Sequence, residues 1–176
     1  MMQLDFLVRR SGLDPTAETC LHALRDLMQL PVHAVEHGTL WRFHVSAGDE
    51  SVRTQLERAA CRAGRYVNLN RDTCVWVEPG ARAQTSACAV EVWVTQGDGR
   101  DPVALSYFRQ QIGRGLTEVQ SGVFYRLHVD EADPVAARRL VEDVATTRSR
   151  THGLLANPHS QRVEILSVSP APAEAP

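Results

Sequence analysis

Two arginine–histidine pairs are the residues of this chain whose types and spacing could do chemistry. Arg42 and His44 lie in the stretch VEHGTLWRFHV, and Arg126 and His128 lie 84 positions later in VQSGVFYRLHV. Apolar and polar residues alternate in both stretches, so the arginine and the histidine of each pair should share one face of a β-strand. A guanidinium beside an imidazole on such a face could hold a phosphate or a carboxylate.

The same face is predicted to carry acidic and apolar residues from a neighbouring strand in each half of the chain. Asp5 and Leu7 occupy it in QLDFLVRR, and Glu91 and Trp93 occupy it in CAVEVWVT. The competing interpretation of each arginine is therefore an ion pair across strands with Asp5 or Glu91. Because the face mixes large apolar residues with charges, we expect a second sheet or a partner protein to cover it.

The two quoted stretches belong to an internal repeat that predicts the fold. In each half an alternating strand leads to an Asp-Pro pair, and Asp14 and Asp101 are predicted to cap the helices that follow. A β-hairpin with its tight turn at Gly38 or Gly122 is predicted next, then a second helix and a closing strand. The order β-α-β-β-α-β, written twice, predicts an α+β protein with two ferredoxin-like units in tandem, each an antiparallel sheet with helices on one face.

The repeat also predicts the division of the chain. We assign 1–79 to the first repeat, 80–87 to a linker that contains Gly, Ser and other small residues, and 88–168 to the second repeat. Residues 169–176, SPAPAEAP, have no apolar periodicity and are predicted to form a disordered tail.

Composition limits the classes of function. The chain has 176 residues, is 43% hydrophobic, carries a net charge of −2 and has no lysine, which argues against a nucleic-acid partner and removes lysine-based mechanisms. No signal peptide, membrane-length apolar run or closely spaced cysteine pair is present, so we expect a soluble, cytoplasmic protein with no metal site. The four cysteines are expected to be mostly small core residues: Cys20, Cys61, Cys74 and Cys88.

One segment resembles a known family. HGLLANPHSQRVEIL places Asn157 and Pro158 just before the closing strand, and with the Asp-Pro helix start it is similar to PurS, the small subunit of phosphoribosylformylglycinamidine synthase. The resemblance covers 88–168 best and 3–78 more weakly, where VNLNRDTCVWVE stands at the corresponding place. We interpret the chain as two fused PurS-like units.

This resemblance implies a function in de novo purine biosynthesis. A PurS-like chain would bridge a PurL-like synthetase subunit and a PurQ-like glutaminase subunit of a glutamine-dependent, ATP-consuming ligase, without catalytic residues or a cofactor of its own. It would also self-associate through its sheets. The candidate interface or anion-binding residues are Arg42, His44, Trp93, Arg126, His128, Asn157 and Pro158.

Two other classes of function stay open at this stage. Tandem ferredoxin-like repeats also form ACT-type regulatory modules, which bind a small ligand at the interface between repeats, although topology by itself does not define function. A free-standing enzyme is the third class, and it is disfavoured because the sequence contains no recognisable catalytic constellation.

Overall fold

The structure is a computed structural model that describes residues 1–46, 50–77, 88–147 and 153–170. It is an α+β fold with a single antiparallel sheet, and the strands follow the order β3-β1-β2-β5-β4-β6. Among the described residues, no helix is long and apolar enough to cross a membrane. The elements are β1 (Met2–Arg10), α1 (Pro15–His22), β2 (Val32–Val45), α2 (Glu50–Cys61), β3 (Asp72–Val77), β4 (Cys88–Gln96), α3 (Pro102–Ile112), β5 (Leu116–Val129), α4 (Pro134–Ala145) and β6 (Gln161–Ser169).

The two predicted hairpins are wrong. β2 and β5 are each one continuous strand of 14 residues, with Gly38 or Gly122 inside it. Neither glycine has the positive φ angle that tight hairpin turns need. Gly38 lies opposite Arg9 of β1, and a Cβ atom placed there would be 2.5 Å from the backbone oxygen of Val8. The glycine therefore permits a close approach of two strands and does not form a turn.

The predicted helix caps are confirmed. Asp14 Oδ1 accepts a hydrogen bond from the backbone amide of Thr16 at 2.9 Å, and Asp101 Oδ1 accepts one from the amide of Ala104 at 2.8 Å. A proline occupies the first turn in both helices, where its missing N–H has no cost. The sequence analysis missed a third cap of the same kind, in which Asp133 Oδ1 accepts from the amide of the second residue of α4 at 3.0 Å.

The described chain separates into two compact units. Unit 1 consists of Met1–Leu13, Gly38–Pro79 and Asp98–Gly122. It contains β3, β1, the part of β2 from Gly38 onward and the part of β5 up to Gly122, together with α2 and α3. The strand residues predicted to face the helices, Trp41, Phe43 and Val45, are buried in its core. Phe108 of α3 and Leu56 of α2 pack in the same core.

Unit 2 consists of Asp14–His37, Gly80–Gly97 and Val123–Pro176. It contains the remaining parts of β2 and β5, with β4 and β6, and its helices are α1 and α4. Its core is built mainly from aliphatic residues. Leu24, in the helical turn that continues α1, and Val141 of α4 pack there with the valines of β4.

The compact units are composed differently from the sequence repeats. The first helix of each repeat is exchanged, because α1 belongs to unit 2 and α3 belongs to unit 1. The long strands explain this exchange. Where a hairpin at Gly38 or Gly122 would fold the chain back, the continuous strand instead carries the preceding helix into the other unit. The predicted linker, 80–87, and residues 171–176 of the predicted tail lie outside the described residues, and β6 extends into the predicted tail as far as Ser169.

Candidate functional site

In unit 1, Arg42 forms a two-point ion pair with Asp5. The two residues are register partners on β2 and β1. Arg42 Nε is 3.0 Å from Asp5 Oδ1, and Arg42 Nη2 is 3.1 Å from Asp5 Oδ2. Only 8% of Arg42 is exposed, so this guanidinium is a buried partner of the carboxylate. Such a fork-to-fork geometry is the strongest form of a side-chain ion pair.

In unit 2, Arg126 lies between two carboxylates. Its Nε and Nη2 atoms are 3.0 and 2.6 Å from Glu91 Oε1, and its Nη1 atom is 3.1 Å from Glu36 Oε2. The hydroxyl of Ser167 donates to the second oxygen of Glu91 at 2.8 Å. The guanidinium also lies 5.8 Å from the centre of the Phe124 ring, which adds a cation–π contact.

His128 extends this cluster. Its Nε2 atom is 3.0 Å from Glu36 Oε1, and its ring centre is 5.7 Å from that of His33. His33 Nδ1 is in turn 3.0 Å from Asp130 Oδ1. The histidine of the second predicted pair is therefore bound to the same carboxylate as its arginine, Arg126.

The two carboxylates bound to Arg126 disfavour the binding of an anion at this guanidinium. Burial by itself would lower the pKa of Arg126, but the hydrogen bonds and charges of Glu91 and Glu36 more than offset this and raise it. The guanidinium thus stays charged, while its donors already point at carboxylates. A phosphate or a carboxylate ligand would have to displace a carboxylate from Arg126 and would be repelled by the other. The geometry at both arginines matches the ion-pair interpretation.

The other two candidates of the open face are His44 and Trp93. His44 is half-buried, and its backbone oxygen accepts a hydrogen bond from Thr117 Oγ1 at 2.8 Å. Trp93 is 3% exposed and lies opposite Phe124 on the neighbouring strand. Leu7 and Phe124 are also buried, at 1% and 0% exposure. These apolar residues are therefore shielded from solvent, while the covering of the face by a second sheet or a partner protein stays a prediction.

Asn157 and Pro158 form a tight turn before β6. Asn157 Oδ1 accepts from the backbone amide of His159 at 3.0 Å, and the Asn157 carbonyl accepts from the amide of Gln161 at 2.8 Å. The side chain of Gln161 accepts from the Asn157 amide at 2.7 Å. An asparagine that organises its own turn in this way starts the closing strand at a defined residue.

The first repeat contains the same turn at Asn68. Asn68 Oδ1 accepts from the amide of Asn70 at 3.1 Å, its carbonyl accepts from the amide of Asp72 at 2.6 Å, and Asp72 Oδ2 accepts from the Asn68 amide at 3.0 Å. The sequence analysis noted VNLNRD at this place without assigning it a role. The signal was an asparagine followed, four residues later, by a side chain that can accept a hydrogen bond.

Within the ranges that the structure describes, no group of three or more His, Cys, Asp or Glu side chains could hold a metal ion. Four of the polar residues that the sequence predicts as candidates, Arg42, Arg126, His128 and Asn157, bond to groups of their own compact unit. No protein-family model matches the chain, and no curated protein matches it.

Proposed function

We propose that the chain is a non-catalytic assembly subunit similar to PurS, which bridges a glutaminase and an ATP-dependent synthetase of a phosphoribosylformylglycinamidine synthase. In this proposal each compact unit is a ferredoxin-like fold, since each contains four strands and two helices. The single chain then supplies both units, which share long strands and have exchanged their first helices.

The observation that carries the proposal is the repeated turn before the closing strand. Leu-Ala-Asn-Pro is the most specific part of the resemblance, and in this chain Ala156 is 2% exposed while Asn157 closes the turn. Val67 and Asn68 do the same in the first repeat, with Val67 at 0% exposure. Two copies of one turn support the interpretation that two units of one family were fused.

The state of the polar residues supports an assembly role over a catalytic one. A catalytic acid, base or nucleophile needs a neighbour that perturbs it and space for a reacting group. Arg42 and Arg126 instead meet carboxylates of the same unit, in geometries typical of structural ion pairs. We therefore assign these arginines to stabilising the sheet.

The test is reconstitution with the synthetase and glutaminase subunits of the same organism. Glutamine-dependent amidation of formylglycinamide ribonucleotide is measured with and without the chain, and the mixture is separated by size-exclusion chromatography. We expect amidation and co-elution to depend on the chain. If folded partner subunits neither co-elute with it nor change their activity, the proposal is wrong.

A matched pair of turn variants locates the contact. His159 and Asn70 are exposed and occupy the same position of the two turns, two residues after the capping asparagine, to which each donates only its backbone amide. Since the resemblance is better in the second repeat, H159E should reduce co-elution and N70E should not. If H159E co-elutes as fully as N70E and the unaltered chain, this turn does not contact the partner subunits.

A further inference from the structure

In unit 1, a cluster of aromatic rings fills the space between α3 and the segment that precedes the asparagine turn. The ring of Tyr66 lies 5.0 Å from Trp41, 5.3 Å from Tyr107 and 5.1 Å from Phe108, measured between ring centres. The guanidinium of Arg65 covers two of these rings, at 4.8 Å from Tyr107 and 5.5 Å from Tyr66. Such rings contribute large apolar areas to a core.

The corresponding positions of unit 2 carry smaller side chains. Two residues correspond when they lie the same number of positions from a landmark that both units have. The landmarks are the strand glycine (Gly38 or Gly122), the helix-capping aspartate (Asp101 or Asp14) and the turn asparagine (Asn68 or Asn157). The counterparts are Tyr125 for Trp41, Leu155 for Tyr66, Cys20 for Tyr107 and Leu154 for Arg65. Three of these four replacements shorten the side chain and remove a ring or a guanidinium, so the volume that unit 1 fills with rings should be partly empty here.

A cleft is present at this place. Its volume is about 420 Å³, and all four counterparts line it, together with Thr19 of α1 and Ala23 of the helical turn that continues α1. This volume falls in the range of about 300–1,000 Å³ that is usual for small-molecule sites. Leu154, at 40% exposure, lies at its rim, while Leu155 and Cys20 are buried at 8% and 7%.

We propose that this cleft of unit 2 is a binding site for a small, uncharged molecule with a planar aromatic ring. The ring would occupy the place that Tyr66 takes in unit 1, against Tyr125 and Leu155. The proposal goes beyond the assembly function and does not depend on it, because it rests on the difference between the two units.

The chemistry of the lining defines the ligand class. None of the lining residues that the structure describes carries a formal charge at neutral pH, which disfavours an ionic ligand. Burial raises the pKa of Cys20 to about 11, and burial with the nearby Cys20 and Asp14 raises the pKa of Tyr125, so both side chains stay neutral.

The Tyr125 ring is also held in place. The ring of His37 packs against it with 5.3 Å between centres, and His37 Nδ1 is bound to Asp14 Oδ2 at 2.8 Å. A ring with a fixed orientation offers a preorganised stacking surface, which lowers the entropic cost of binding.

Indole is the probe for the experiment, since it matches the Trp and Tyr rings of unit 1, and cyclohexanol is the non-aromatic control. Binding to the full chain is measured by saturation-transfer NMR and by the shift in melting temperature, which should rise with indole concentration as linkage predicts. We expect saturable binding of indole, intermolecular NOEs to the methyl groups of Leu155 and Ala23, and weaker binding of cyclohexanol.

Filling the cleft should abolish the site. L155Y introduces the ring that unit 1 carries, and we expect at least about tenfold weaker indole binding. L69Y is the control, because Leu69 is 66% exposed and lies in unit 1. It should bind indole like the unaltered chain. A23L narrows the same cleft and decides the question if L155Y does not fold. The proposal is overturned if the unaltered chain shows no saturable binding, if cyclohexanol binds as tightly, or if the folded cleft variants bind indole unchanged.

Discussion

Replacing Arg126 by alanine should destabilise the protein substantially, because two partly buried carboxylates, Glu91 and Glu36, lose their shared guanidinium partner. Arg126 makes short contacts to Glu91 and Glu36, and the exposed fractions of the three side chains are 20%, 11% and 30%. Both carboxylates would then lose the guanidinium as a donor in a site that water reaches only in part, while Ser167 still donates to Glu91 and His128 still contacts Glu36.

The magnitude follows from this partial burial. Breaking a fully buried ion pair costs about 3–5 kcal/mol, and an exposed pair is worth about 0–1 kcal/mol. Arg126 lies between these limits and serves two acids, so we expect R126A to lower the free energy of unfolding by about 2–3 kcal/mol at pH 7. R126K keeps the charge but loses the planar guanidinium that contacts both carboxylates, and it should lower the free energy of unfolding by about 1 kcal/mol.

Urea unfolding, followed by far-UV circular dichroism, measures these differences by linear extrapolation. A double-mutant cycle with E91Q separates the pair from other effects, and its coupling energy should be about 1–2 kcal/mol. The side-chain amide that E91Q introduces can still accept the hydrogen bond that Ser167 donates to Glu91. The matched control is R139A, since Arg139 is exposed on α4 of the same unit and should change stability by less than about 0.5 kcal/mol.

The reasoning is refuted if R126A unfolds within about 0.5 kcal/mol of the unaltered chain, or if the coupling energy with E91Q is zero within error. Unchanged stability combined with lost assembly would assign Arg126 to a partner contact in place of the structural ion pair.

Three further predictions concern the cap, the strand glycine and the cysteines. Burial would raise the pKa of Asp14, but the hydrogen bond and charge of its histidine partner and two backbone amides more than offset this and hold it below the usual value. Its carboxylate therefore stabilises the fold above about pH 4, and the stability gap between the unaltered chain and D14N should narrow as the pH falls through the folded pKa, measured by urea unfolding. G38A should cost about 1–3 kcal/mol in the same assay, because its Cβ would meet a backbone oxygen at 2.5 Å, whereas G115A meets only a side-chain oxygen at 3.4 Å and should be nearly neutral. Burial raises the pKa of the half-buried Cys61 thiol and raises that of Cys74 to about 11, so both thiols should stay protonated at pH 8 and react with iodoacetamide more slowly than free cysteine does; labelling at the rate of free cysteine, followed by peptide mapping, would contradict this.

Local features could be predicted from the sequence because each depends on residues close together in the chain. The caps at Asp14 and Asp101 require only a short polar side chain before a proline, and both formed as predicted. The pairing of Arg42 with Asp5 and of Arg126 with Glu91 was one of two interpretations that strand alternation allowed. Of the four cysteines that were expected to be mostly core residues, Cys20 and Cys88 are buried, and Cys61 and Cys74 are half-buried and pack against the core of unit 1.

The tertiary structure alone decided what happens at Gly38 and Gly122. A glycine between two alternating segments is compatible with a hairpin turn and with a continuous strand, and the same residues keep the same faces in either case. The choice depends on where the preceding helix finds an apolar surface, which is a contact between residues far apart in the chain. That choice exchanged α1 and α3 and gave each compact unit a helix from the other repeat. The cleft beside Tyr125 has the same origin, because only the assembled unit shows that the space filled by rings at Tyr66 is left open at Leu155.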